Sequence, residues 1–450
     1  MKSFQYRLYK YYKEVGMKKL VLVMLAIFLV VPALGNAGSV SSRYDVTFGG
    51  FVKFDFGWSS DSANADPAMA ARDSRRNAPV FADEFSNTFM TGAETRFNFL
   101  VKGPDLWGAK TSAFIEGDFR GVTTGNAHGG FQLRHAFMKM NWDSAELMIG
   151  QNWQQWGSPY YTAKLGASDY GMYLRGIRVP QVAFRYFWTK EFNTMIGLTS
   201  ATEWSGARGV RQVDDYSRSN VPGFMGEIAY WTDRCGKIGP HNMKFALGGY
   251  YGQQKLTYFD GVRNRWSSEN ANAWLTSFRY SIPIVPEKQG DKVMSLLLNG
   301  NFFYGQNAGG NPWLAPNTMF GSYGRVNAAT LDRSVSAPTV FGLYSQISWW
   351  VANNVHFNGM YGYAKYNMSS AARNNLGAAG AARIGVTQNN VNMQQTYGAN
   401  VLWDANQAVR FGVQWMRIFT SYNGRNLVGT NWDSRSGTMD QYRIAAWYFF

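Results

Sequence analysis

Chemistry on this chain falls to arginines, lysines and aromatic rings, because the side chains that usually carry catalysis are scarce. There are four histidines and one cysteine in 450 residues. His128, His135, His241 and His356 lie in unrelated sequence settings, without the spacing that a nucleophile–base pair or a zinc site needs. Cys235 stands alone, which removes an internal disulfide, a CxxC knuckle and a CxxCH haem attachment. These observations read as a non-enzymatic protein with no metal and no cofactor. What is abundant is positive charge and aromatic surface: 44 Lys+Arg against 29 Asp+Glu give +15, and 16% of residues are aromatic. A basic excess suits nucleic acid, anionic lipid or an anion-handling surface. Nucleic acid is disfavoured, since no basic helical face and no long run of like charge occurs.

The densest meeting of the two resources is residues 153–180, WQQWGSPYYTAKLGASDYGMYLRGIRVP. Trp153, Trp156, Tyr160, Tyr161, Tyr170 and Tyr173 offer faces on which sugar rings could stack, and the same rings could simply pack this segment against its surroundings. Lys164, Arg175 and Arg178 face a single acid, Asp169. Such a segment discriminates solutes only if something holds it in a confined place.

The elements available to hold it are strands. In 45–58, Val46, Phe48, Gly50, Val52, Phe54, Phe56 and Trp58 take alternate positions, with Asp45, Thr47, Lys53 and Asp55 between them. Residues 89–102 repeat the pattern, with Glu94, Arg96, Asn98 and Lys102 on the polar face. Further segments of this kind run to the end of the chain, about sixteen in all, near the 9 to 11 residues that a tilted strand needs to cross a bilayer. In 131–142 the phase is ambiguous, because Arg134 and His135 compete for the same face. The connections alternate in length. Stretches 59–88, 121–130, 153–180, 202–222, 253–271, 306–338, 367–392 and 420–437 are long and polar, and those between them are short. Trp107, Trp142, Trp188, Trp231, Trp349, Trp350, Trp403 and Trp447 fall near the short turns, as an interfacial girdle would.

Both ends of the chain fit this pattern. Leu20 to Leu34 is an apolar run behind Met17-Lys18-Lys19 and ahead of Gly35-Asn36-Ala37, the order of a secretory signal. We expect a signal peptide in 1–37, with a start at Met17 accounting for the preceding basic segment, and a barrel pore in 38–450. Cleavage removes six basic residues and Glu14, lowering the charge from +15 to about +10. At the other end Tyr442, Ile444, Ala446, Tyr448 and Phe450 form an apolar strand face that needs a partner.

The signal, the alternating strands, the sorted connections and the terminal Phe450 resemble the general diffusion porins of Gram-negative outer membranes. The resemblance implies an all-β fold: a transmembrane antiparallel β-barrel of about sixteen strands, with short periplasmic turns, long extracellular loops and a third loop folded into the lumen. It also implies an outer-membrane location among lipid and lipopolysaccharide, a homotrimer, passage of small polar solutes, and a terminal strand read by the barrel-assembly machinery. With apolar faces toward lipid, the lumen receives Lys53, Arg96, Arg134, Arg185, Lys244, Arg279, Arg410 and Arg443, against Asp55, Glu94, Glu116, Asp118 and Glu227. The narrowest point is expected where 153–180 meets Arg96, Arg134 and Arg185. Enteric porins carry several acids on that loop, and this chain has only Asp169, so the expectation is a weak anion preference. A sugar-selective channel using the loop aromatics, or a non-conducting barrel acting as adhesin or scaffold, are the alternatives.

Overall fold

Strict two-residue alternation, with Val, Ile, Phe, Tyr and Thr at the alternating positions, builds strands rather than helices, and each strand leaves a ladder of N–H and C=O groups for its neighbours. The computed structural model describes residues 44–61, 70, 86–121, 129–166, 171–174, 176, 178–200, 222–260, 265–306, 323–326, 333–336, 339–367, 391–422 and 436–450. The strands are β1 (Asp45–Ser59), β2 (Asn87–Thr91), β3 (Arg96–Lys102), β4 (Lys110–Gly121), β5 (Gly130–Asn141), β6 (Ala145–Trp153), β7 (Arg178–Phe187), β8 (Phe192–Thr199), β9 (Gly223–Ile238) and β10 (His241–Asp260). They continue with β11 (Arg265–Val285), β12 (Leu296–Gln306), β13 (Tyr323–Val326), β14 (Arg333–Ser336), β15 (Thr339–Ala352), β16 (Val355–Asn367), β17 (Val391–Asp404), β18 (Val409–Tyr422) and β19 (Ser436–Phe449).

Seventeen of these strands form one sheet in sequence order, and β13 and β14 form a separate hairpin. Both β2 and β3 pair with β1, so they share one place in the ring and the barrel has sixteen staves. The sheet closes where β1 meets β19 antiparallel, from Phe51 opposite Phe449 to Ser59 opposite Gln441. At the end of that seam Gly50 and Phe450 exchange both backbone hydrogen bonds, at 3.1 and 3.2 Å. Thr47–Phe450 is a single compact unit, and of Met1–Val46 only Tyr44–Val46 are described. The expected signal segment, 1–37, lies outside the described residues.

Alternation sorts the side chains. Val52, Phe54, Ile228, Val413, Ile444 and Tyr448 are exposed on the outer surface. Lys53, Asp55, Glu227, Asn299, Gln346 and Arg443 are buried on the inner one.

The structure differs from the sequence reading in several places. The segment 89–102 is broken at 92–95, so that Glu94 leaves the ladder and enters the lumen. The expected loop 253–271 is mostly strand, since β10 and β11 stay paired to Asp260 opposite Arg265. The connection 306–338 contains the β13–β14 hairpin. Three tryptophans assigned to the girdle face inward: Trp350 and Trp447 are buried, and Trp231 lies beneath Arg185. Parity is the reason, because neighbours such as Trp349 and Trp350 cannot point the same way along a strand. The ambiguity in β5 resolves into a bulge: Glu116 pairs with His135 and Gly117 with Leu133, so Arg134 is extra and both it and His135 are buried inside.

The ring of Phe450 lies 5.4 Å from that of Phe48 and 6.3 Å from that of Phe97, holding the seam at one rim. Phe450→Ala is expected to destabilise the barrel by about 1–2 kcal/mol, the worth of two lost aromatic pairs. The urea midpoint of the detergent-refolded chain checks this, and an unchanged midpoint would show that the rings do not secure the seam.

Candidate functional site

Between β6 and β7 the chain turns into the barrel instead of bridging the rim. Gln154, Trp156, Ala163, Leu165, Met172, Tyr173 and Leu174 are all buried. Inward-pointing polar side chains of the opposite wall tie down their backbone. On β11, Ser277 Oγ donates to the Gly157 carbonyl at 3.0 Å, and on β12, Asn301 Nδ2 donates to the same oxygen at 2.8 Å. Farther along, the Ala163 amide donates to Gln346 Oε1 of β15 at 3.0 Å, and Asn400 Nδ2 of β17 donates to the Ala163 carbonyl at 2.6 Å. Two residues on, the Leu165 amide donates to Gln414 Oε1 of β18 at 3.1 Å, and Lys53 Nζ of β1 donates to the Leu165 carbonyl. Tyr173 and Thr396 share a hydroxyl hydrogen bond of 2.9 Å.

These amides and hydroxyls stand in for the water that a loop backbone would otherwise need. One close approach demands glycine on both sides: a Cβ on Gly362 of β16 would lie 2.1 Å from the Gly171 carbonyl, and Gly171 itself has φ +84°. Ala70, between β1 and β2, also lies inside. The Ala70 amide donates to Thr420 Oγ1 at 3.0 Å, Tyr422 donates to its carbonyl, and Ala70 packs with Met172 in one buried cluster.

Among the described residues, three charged clusters line the lumen. On β4 and β5, Arg134 spans Glu116 and Asp118, at 2.6 Å to each. Arg134 and Arg178 lie over the ring of Trp153, at 5.9 and 5.4 Å. Arg96 shares the field of Arg134, Glu116, Glu94 and Asp118. Nearer β9, Glu227 accepts from Arg279 at 2.6 Å and from Arg185 at 3.4 Å, and Lys244 and Arg279 lie over Tyr160. The third group is balanced: Lys53 contacts Asp55 at 3.0 Å and Glu94 at 2.8 Å, and Arg443 reaches Asp55 at 3.2 Å. At the short-turn end Arg410 pairs with Asp404.

Of the residues expected at the constriction, Arg134 and Arg178 come together over Trp153, Arg96 lies over the ring of Phe51 at 5.1 Å within the field of Arg134, and Arg185 belongs to the Glu227 group. Lys164 lies on the inward loop between the tied residues Ala163 and Leu165. Asp169, Arg175 and the ring of Tyr170 lie outside the described residues. Among the aromatics, Trp153 remains exposed, whereas Trp156 stacks at 6.4 Å on Tyr250 and Tyr173 is held by Thr396. Tyr161 packs against His241, with ring centroids 4.3 Å apart, and burial pushes its phenol up to about 12, so it stays neutral. Tyr160 accepts the Trp231 indole N–H at 3.2 Å. Two histidines that seemed unrelated in sequence, His241 and His356, flank Trp350. The tethering residues Ser277, Asn301, Gln346, Thr396, Asn400 and Gln414 escaped a reading centred on charge. Their signal was present as amides and hydroxyls at inward parity.

A closed sixteen-stave antiparallel barrel, apolar outside and charged inside, with a loop tied across its lumen, defines the fold class of outer-membrane porins. The solved structures agree. The outer membrane channel DcaP of Acinetobacter baumannii is 16% identical over 91% of this chain and 99% of its own, with a TM-score of 0.62. The anion-selective porin from Comamonas acidovorans is 11% identical over 91% of this chain and 100% of its own, with a TM-score of 0.50. No family model and no curated protein matches the sequence.

Gly362→Val is expected to unseat the loop tip while leaving the ladder intact. Hydrogen exchange of amides 171–174 should then speed up about tenfold or more, the effect of roughly 1.4 kcal/mol of lost anchoring. Unchanged exchange would mean that the tip is not seated on β16.

Proposed function

We propose that this chain is an outer-membrane porin, a passive diffusion channel for small hydrophilic solutes and ions with a weak preference for anions. The observation that carries the reading is the charge balance of the lumen. Arg134 and Arg178 over Trp153, with Arg96 in the field of Arg134, stand against Glu116 and Asp118, and near β9 Arg185, Arg279 and Lys244 stand against Glu227. In a confined channel between low-dielectric walls, such an excess raises the local concentration of anions and repels cations. The polar inner surface gives solutes hydrogen-bonding partners along the way. Apolar solutes gain nothing from that path.

The sugar-selective alternative has less support, because Trp156, Tyr161 and Tyr173 spend their rings on packing. In this reading the long loops face the outside, the short turns face the periplasm, and 1–37 is removed on export. The barrels assemble as homotrimers among lipid and lipopolysaccharide. Tyr442, Ile444, Ala446, Tyr448 and Phe450 serve the assembly machinery as well as the seam.

Reconstitution in a planar bilayer tests the proposal. Open-channel current with a reversal potential displaced toward the anion equilibrium in a KCl gradient is expected, and a barrel that passes no current would be an adhesin or scaffold instead. Arg96→Glu combined with Arg134→Glu should move the reversal potential toward cation preference. If it does not move, those side chains do not face the conducting path.

A further inference from the structure

The outer wall of β15 to β18 carries a hollow that the barrel does not need for its own construction. Along one outward rung, Ile347, Gly359, Ala399 and Trp415 are paired in register, so two small residues stand between two large ones. Two adjoining hollows of about 650 and 590 Å³ share Ile347, Gly359 and Trp415.

Gly359 is the informative residue. Glycine in a strand costs about 0.5–1 kcal/mol relative to alanine, and its usual reasons are a bulge, a bend or the close approach of another molecule. The pairing through Gly359 is regular on both sides. A Cβ there would meet only Ile347 Cγ2, at 3.5 Å, an ordinary contact. By contrast, a Cβ on Gly342 of β15 would lie 2.3 Å from the Tyr363 carbonyl. Nothing in the wall requires Gly359 to be glycine, and its missing side chain leaves the hollow open to close approach from outside.

The hollow has two unlike ends. The rung toward the long-loop rim is Ser345, Tyr361, Tyr397, Arg417 and Asp440, and the rung toward the short turns is Trp349, Phe357, Val401, Val413 and Ile444. Asp440 holds Arg417 through Nε at 2.9 Å and Nη2 at 2.7 Å, and Trp415 Nε1 donates to the same carboxylate at 3.1 Å. The carboxylate is thereby drawn along the wall, while the guanidinium stays half exposed at the lip of the hollow. Apolar at one end and carrying the half-exposed guanidinium of the Arg417–Asp440 ion pair at the other, the site has a polar and an apolar end as a membrane amphiphile does.

We propose that this hollow binds a membrane lipid, its acyl chain lying over Gly359 and Ala399 and its phosphate on Arg417. This rests on the reading of the chain as a membrane barrel but not on its conducting. The test offers the delipidated full-length barrel in detergent an equimolar mixture of dioleoyl phosphatidylglycerol and dioleoylglycerol, and counts retained lipid by native mass spectrometry. The wild type should retain the phosphatidylglycerol about tenfold over the diacylglycerol, as expected for one charge-assisted hydrogen-bonded contact. Arg417→Gln should abolish that discrimination, and Gly359→Leu should reduce retention of both lipids. Ala399→Leu fills the same hollow and reads the same outcome if the first variant does not fold. Equal retention across wild type and variants would overturn the proposal. So would a Gly359→Leu chain that retains lipid normally but loses an oligomeric state seen for the wild type, because the hollow would then seat a second copy. Bilayer conductance of the same preparations reports separately on the channel, so a barrel that discriminates lipids without passing current would cost only the porin reading.

Discussion

Closure of the sheet between β1 and β19 is the constraint on which everything else depends. A hydrocarbon environment supplies no hydrogen bonds to a bare backbone, so a spanning sheet must satisfy every ladder group within itself, and only a closed ring does so. The seam from Phe51–Phe449 to Ser59–Gln441 supplies that closure with residues almost four hundred positions apart. Once the ring is shut, inside and outside are defined, and the two-residue period of each strand becomes a sorting rule for every side chain. The same constraint explains the buried quartet of Lys53, Asp55, Glu94 and Arg443. Charges placed beside the seam at inward parity are buried, and each has an opposite partner within 3.2 Å. Such a group is costly to break by removing one member, which leaves an uncompensated buried charge.

The inward loop is a second structure built on the first. A loop backbone inside a barrel is tolerated only where its polar groups find partners. Asn301, Gln346, Asn400 and Gln414 supply them at Gly157, Ala163 and Leu165, from strands spread along the far wall. The loop is therefore fastened inside the barrel as part of its wall. The proposed anion preference rests on where the carboxylates lie. Those near β1 are balanced, whereas those near β5 and β9 are outnumbered.

Much of the fold was legible in the chain, because the signals for it are local. Alternation in 45–58 and 438–450, turns at 143–145 and 404–406, and the uneven loop lengths all follow from neighbouring residues. The site was only partly legible. The sequence could list Arg134 and His135 as rivals for the interior, but a bulge opposite Glu116 and Gly117 admits both. The sequence could also list the aromatics of 153–180, but whether a ring faces solute or packing depends on what meets it. Tyr250 meets Trp156, and His241 meets Tyr161, from strands far along the chain.

The sequence by itself determined the class of structure, the parity of nearly every strand residue and the basic excess of the inner surface, since these depend on side-chain period and composition alone. Tertiary structure decided which charges cancel, which aromatics remain open, and where the inward loop is fastened. Those outcomes depend on pairings across the lumen between residues separated by more than a hundred positions, such as Ala163 with Gln346 and Lys53 with Leu165, and no local pattern encodes them.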